Sequence, residues 1–208
     1  MIEVKDLCFA YGEKQIIRDF SLDVKTGELV ALMGASGSGK TTLLRLFAGL
    51  EKPQSGEIRI GTDKTVVAFQ EPRLFPWLTV EQNLDAALPP KTEKAVRQEA
   101  IAEALAFVGL TGSEGQKPAE LSGGMRSRAS LARALAYGKL TGAELYLLDE
   151  PFSALDEAKR DELSAALREL MRERGATAVL VTHNTSDAER FADRLIRIDD
   201  LSKLSADI

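Results

Sequence analysis

No run of the 208-residue chain approaches the ~18 consecutive apolar residues that a helix needs to span a bilayer, so the chain is expected not to cross a membrane by itself. Its first residues, Met1, Ile2, Glu3, Val4, Lys5 and Asp6, have neither the basic start nor the apolar stretch of a secretion leader, and the expected compartment is the cytoplasm. With one cysteine, Cys8, no internal disulfide can form. Set in an alternating strand pattern, that thiol reads as a small core residue without a chemical role. Acidic residues outnumber basic ones by 32 to 27, for a net charge of −5, which argues against a general nucleic-acid surface; no nucleic-acid partner is expected. There is also no internal repeat, no low-complexity segment and no sign of a second independent domain. A chain of this length with 44% hydrophobic and 28% charged residues is expected to build one full core, as a single domain over 1–208.

One stretch stands out from this ordinary background. Gly34, Ala35, Ser36, Gly37, Ser38, Gly39, Lys40 and Thr41, followed by Thr42, match the phosphate-loop pattern G-x-x-x-x-G-K-[ST]. An apolar strand-like run at 29–33 precedes the match, and a helix-patterned run at 43–50 follows it. Glycines let the backbone turn tightly and present successive N–H groups to phosphate oxygens, while a helix starting near Lys40 aims its positive dipole end at the same point. Lys40 is expected to reach the β- and γ-phosphates of a nucleotide, and the Thr41 hydroxyl to ligate Mg²⁺. A Gly/Ser linker that contains lysine by chance is the competing reading, and the flanking strand and helix argue against it.

Upstream, residues 3–11 and 16–24 alternate around a turn at 12–15, which predicts an antiparallel β portion. Tyr11 closes the first run, where its ring either packs on a neighbour or stacks on a purine; beside a nucleotide loop, stacking is expected. Short strands are predicted at 57–60 and 65–69, and Gln70 follows the second. Its amide is either simply solvated or offers an oxygen to Mg²⁺ or to water, since ligands of α/β sheets sit at the carboxyl ends of strands.

Residues 71–121 change to helical periods and read as an inserted helical subdomain, with Thr79 and Gln82 as a capping pair and Val96, Ile101, Leu105 and Val108 on one stripe. Phe75 and Trp77 on the proline-stiffened entry loop either dock a partner or anchor the loop to the core. Ser122, Gly123 and Gly124 open an alanine-rich helix expected to run to about Tyr137, and such a start leaves backbone N–H groups ready for an anion. The apolar run 145–148 reads as a strand covered on both faces and ends in Asp149 and Glu150. Asp149 is expected in the Mg²⁺ shell and Glu150 as the general base on an attacking water. A turn at 153–156 leads to an amphipathic helix over 157–174 with Leu163, Leu167, Leu170 and Met171 inward. A second buried strand, 177–182, ends in His183, the one histidine, which is placed to hydrogen-bond a γ-phosphate. A helix at 185–192 and a strand at 194–198 complete the expected α/β fold.

Tyr11, the loop at 34–42, Gln70, the stretch from Leu121 to Met125, Asp149 with Glu150, residues 153–156 and His183 together resemble the ATPase subunit of an ABC transporter, in order and at similar spacing over essentially the whole chain. The resemblance implies a P-loop NTPase core with a mixed or parallel sheet, an N-terminal antiparallel β portion and an inserted helical subdomain. It further implies that Tyr11 stacks on adenine and that Gln70 links catalysis to the membrane subunits. Ser122 and Gly123 would bind the γ-phosphate held by the opposite subunit, Asp156 would sit at the dimer seam, and His183 would be the switch.

Two such chains would sandwich two ATP molecules head to tail, with Mg²⁺, on the inner face of the cell membrane beneath permease subunits and, through them, a solute-binding protein. Within the family, the segment from Phe69 through Pro76, Trp77, Leu78 and Thr79 resembles the nitrate, sulfonate and taurine importer group. Met125 fits that group, whereas Ser127 departs from the usual Gln. The chain stops at Ile208, early for the family, so a C-terminal regulatory domain is not expected. The alternatives are a soluble ABC ATPase of assembly or remodelling, an exporter ATPase, and a non-hydrolysing interaction module, the last disfavoured because every catalytic position is filled.

Overall fold

The computed structural model describes residues 1–198 and 201–202. Two sheets and two helical layers build the molecule. The first sheet is antiparallel, with strands β1 (Ile2–Tyr11), β2 (Lys14–Val24) and β4 (Ser55–Ile60) in the order β2-β1-β4. The second contains β3 (Leu29–Met33), β5 (Thr65–Ala68), β6 (Leu145–Asp149), β7 (Thr177–Thr182) and β8 (Arg194–Arg197), all parallel, in the order β5-β6-β7-β3-β8. The parallel sheet explains the unbroken apolar strands: β6 and β7 are buried along their whole length because both faces are covered.

Alternation along those strands divides the core in two. Leu145, Leu147, Val179 and Val181 face the antiparallel sheet and helix α1 (Lys40–Phe47), together with Leu43, Leu44 and Phe47. Tyr146, Leu148, Ala178 and Leu180 face the other helices, against Leu135, Leu167 and Met171. The helices on that side are α2 (Val80–Asp85), α3 (Lys94–Phe107), α4 (Gly123–Thr141), α5 (Glu157–Glu173) and α6 (Thr185–Phe191). A single 3₁₀ turn over Pro118–Glu120 leads into α4. Thr79 caps α2 in a capping box with Gln82, as the spacing predicts.

Three local expectations change. Val96 is 40% exposed while Ile101, Leu105 and Val108 are buried. It stands five residues before Ile101, roughly 140° around a helix of 3.6 residues per turn, and so falls off their stripe. Helix α4 runs past Tyr137 to Thr141 and stops where Gly142 adopts the left-handed conformation at φ 64. Leu170 is only partly buried on α5, at the edge of the core that Leu167 and Met171 enter fully.

Candidate active site

The carboxyl ends of β3, β5, β6 and β7 meet around a cleft of about 340 Å³ lined by the phosphate loop, Gln70, Asp149, Glu150 and His183. Gly34 leaves β3 at a point where a Cβ would stand 1.9 Å from the Ile198 carbonyl oxygen, so no larger residue fits. Gly39, at φ 99, is the N-cap of α1 and supplies a turn that L side chains rarely adopt. No side chain caps α1, which leaves its first N–H groups to whatever occupies the loop.

The Lys40 ammonium is buried and donates to the carbonyls of Gly34 and Ala35 at 2.8 and 2.7 Å and to the Ser38 hydroxyl at 3.2 Å. Burial pushes its pKa down, while Glu150 and Asp149 pull it back up. The charge is thus held at the loop, by acceptors it can exchange for phosphate oxygens.

Asp149 ends β6 at 1% exposure, and neither carboxylate oxygen has a hydrogen-bond partner in the fold. Burial pushes its pKa up; the nearby Thr41 hydroxyl draws it down without forming a bond of good geometry, and Glu150 pushes it up again. A buried carboxylate without partners is costly unless a cation completes it. With Thr41 and Gln70 on the same cleft, the donors are all hard oxygens, the set that Mg²⁺ takes. The residues present therefore fit that ion.

Glu150 lies just beyond the strand in a left-handed conformation at φ 50, anchored by its N–H to the Val181 carbonyl at 2.9 Å. Strain of this kind persists where surrounding structure over-determines it. Its side chain is 10% exposed; Oε1 lies 2.7 Å from Nδ1 of His183, and Oε2 lies 3.5 Å from the Thr182 hydroxyl. This contact engages Nδ1, so Nε2 is the ring nitrogen left to face a ligand. Thr182 also reaches Asp187 Oδ2 at 3.4 Å, and burial pushes the Asp187 pKa up. Buried acid thus stands behind the pair of Glu150 and the exposed His183.

The structure therefore brings together Lys40, Thr41, Thr42, Gln70, Asp149, Glu150 and His183, together with Ser36, Gly37 and Gly39 of the loop. It does not bring Tyr11, Ser122, Gly123 or Gly124 into that cleft. Tyr11 packs edge-on against Phe9 at 4.8 Å and donates to Glu51 at 3.1 Å, and the residue remains 42% exposed. Ser122 caps α4 through the Met125 N–H, and Gly124 packs so closely on the Ala154 carbonyl that a Cβ would stand 2.5 Å from it. Asp156 caps α5 through the Lys159 N–H. Lys14 and Ile16 line the cleft although nothing in their local pattern marks them; their i, i+2 spacing on β2 is the one available signal.

A family model described as "ABC transporter" matches residues 17–153. The chain is 45% identical over 205 residues to the sulfate/thiosulfate import ATP-binding protein CysA 2 of Chromobacterium violaceum, covering 94% of this chain and 55% of that protein. It is 43% identical over 199 residues to the aliphatic sulfonates import ATP-binding protein SsuB 1 of Streptomyces avermitilis, covering 96% and 73%. The chain thus spans little more than half of the first of these relatives. Its backbone superimposes on the dimeric structure of MJ0796, a bacterial ABC transporter cassette, with a TM-score of 0.86 at 31% identity, covering 96% of this chain and 95% of that one. With more than half of its residues under the family model, and such identity across almost its whole length, the chain belongs to the ABC transporter family.

Proposed function

We propose that the chain binds ATP and Mg²⁺ in the cleft, hydrolyses the nucleotide, and uses the closing and opening of a two-fold dimer to drive membrane permease subunits. The observation that carries this reading is the convergence of Lys40, the unpartnered Asp149 and the Glu150–His183 pair on one cleft. Lys40 and the α1 N-terminus bind phosphate oxygens, and Lys40 gives up its loop carbonyls to do so. Thr41, Asp149 and Gln70 hold the metal. Bound Mg²⁺ supplies positive charge against the phosphate oxygens. Glu150 accepts the proton of the attacking water, and His183, held by Glu150 through Nδ1, donates from Nε2 to the γ-phosphate when its ring carries both protons. The protein's contribution is positioning and charge rather than covalent chemistry.

Ser122 and Gly123 are exposed and stand outside their own chain's cleft. Their contact with a γ-phosphate is therefore made across the dimer, to the nucleotide held by a second copy. Tyr11, exposed at the end of β1, stacks on adenine. The exposed pair Phe75 and Trp77, at 45% and 67%, faces the permease. The sulfate/thiosulfate and aliphatic sulfonates import relatives support an importer of a small anion or sulfonate-like solute, and a relative named for thiamine import supports the importer role alone. Such a subunit sits peripherally on the inner face of the membrane, and a solute-binding protein acts through the permease.

The test is ATP hydrolysis by the purified chain with Mg²⁺ and with chelator, followed by capture of tagged Glu150→Gln protein with ATP from detergent-solubilised membranes. Mg²⁺-dependent turnover and recovery of a multi-span permease are the expected results. Hydrolysis with only soluble partners recovered would move the reading to an assembly or remodelling ATPase.

A further inference from the structure

The loop that follows Gln70 is fastened to the helical layer at two places. Asn83, fully buried on α2, accepts from the Phe75 N–H at 2.7 Å and donates to the Phe75 carbonyl at 3.1 Å. Arg133, on α4, donates from Nη2 to the Pro72 carbonyl and from Nη1 to the Arg73 carbonyl, each at 2.9 Å. Arg73 adopts a left-handed conformation at φ 47, and its own guanidinium lies over the Phe69 ring, 4.4 Å from the centroid. The backbone from Phe69 to Phe75 is thereby held from both sides, and Gln70 is the residue within it that lines the cleft.

Arg133 is an unusual residue to hold a loop. Burial pushes its pKa down and no carboxylate pulls it back up. Two main-chain carbonyls are the partners of its charge among the described residues. Helix α4 does not need that arrangement to pack, because Ala129, Leu131, Ala132, Leu135 and Ala136 already bury its inner face. A half-buried cation costs desolvation that an apolar side chain would avoid. What the fork adds is geometry: two parallel donors fix the orientation of two successive peptide groups.

We propose that Arg133 is the positioning residue for Gln70, making the placement of Gln70 in the cleft follow the position of α4. The inference rests on the reading of the cleft as an ATP site. Arg133 lies eleven residues beyond Ser122, about 16 Å along a rigid helix at 1.5 Å per residue. A displacement of the Ser122 end, such as a second copy would impose, shifts the guanidinium, then the carbonyls of Pro72 and Arg73, then Gln70. Asn83 fastens the far end of the loop to α2, so the segment moves as a unit instead of absorbing the shift.

The experiment compares the wild-type chain with Arg133→Met, Arg133→Lys, Gln70→Ala and the Gln70→Ala/Arg133→Met double variant. Affinity for a fluorescent ATP analogue, kcat and KM are measured, and Trp77, the chain's one tryptophan, reports loop order through acrylamide quenching. Arg133→Met is expected to bind nucleotide within about twofold of wild type, lose about tenfold in kcat and leave Trp77 more readily quenched. Arg133→Lys, which keeps a donor for the same carbonyls, is expected to recover much of the rate; should Arg133→Met not fold, Arg133→Gln, which keeps a polar head but loses the two-pronged fork, carries the comparison with the same expected loss. In the Gln70→Ala background Arg133→Met is expected to cost less than about twofold, because the residue through which it acts is gone. Equal losses in both backgrounds, or an unchanged kcat, would overturn the proposal. If the wild-type chain does not hydrolyse ATP, the ATP reading fails separately and Trp77 quenching decides the loop coupling alone: unchanged quenching overturns it.

Discussion

Asp149 shows at the scale of one residue how function is placed against stability. Its folded pKa is raised by burial, so the fold prefers the neutral acid. The cost of the charged form is present at neutral pH and is relieved as pH falls through the folded pKa toward the unfolded value of about 3.9. Asp149→Asn should therefore stabilise the nucleotide-free chain by about 1–3 kcal/mol at neutral pH, a rise of roughly 2–4 °C in Tm per kcal/mol. The gain should shrink at acid pH, and thermal scans at pH 7.5 and 4.5 read both arms. The same variant should lose Mg²⁺-dependent turnover. At the neighbouring position, Glu150→Gln should keep ATP binding and lose about 10²-fold or more in kcat, the usual worth of a positioned base. Normal hydrolysis by that variant would remove Glu150 from the role. Lys40→Ala should instead weaken ATP binding itself, measured by equilibrium titration.

At the scale of elements, the packing of α4 on β6 makes a prediction that helix propensity alone gets wrong. Gly138 lies inside α4, where alanine ordinarily gains about 1 kcal/mol. A Cβ there would stand 2.2 Å from the hydroxyl of Tyr146, which is fully buried and accepts from Arg174 at 2.8 Å. Gly138→Ala should destabilise by about 1–3 kcal/mol, read from urea midpoints, because the ring cannot retreat. Adding Tyr146→Phe should make the combined loss smaller than the sum of the two. The strands were legible because their periods are local: buried β6 and β7 as apolar runs, and the hairpin of β1 and β2 as alternation. Val96 was misread because a stripe through Ile101, Leu105 and Val108 is set by angle around the helix, which a hydrophobic residue can miss by five positions.

At the scale of the whole molecule, Ser122 and Gly123 lie outside the cleft of their own chain, so a role toward phosphate needs a second copy. Nothing stands within 4 Å of a Cβ built on Gly123, and an arginine there should leave the single chain folded. Gly123→Arg should retain nucleotide binding, abolish the ATP-dependent doubling of mass in light scattering when combined with Glu150→Gln, and lower kcat of the otherwise wild-type chain by about tenfold or more.

The amino-acid sequence by itself determined the phosphate loop, the two acids after a buried strand and the histidine after the next, since each depends on a few contiguous residues and their backbone. Only tertiary structure decided that Glu150 meets His183 across 33 positions, that Ile198 crosses Gly34 closely enough to require glycine, and that Arg133 holds the loop behind Gln70. Those contacts depend on strand order and on the angle of one element over another. Chain entropy opposes such long-range closures, and burial of the two shared cores stabilises them against it, so no local stretch of sequence contains them.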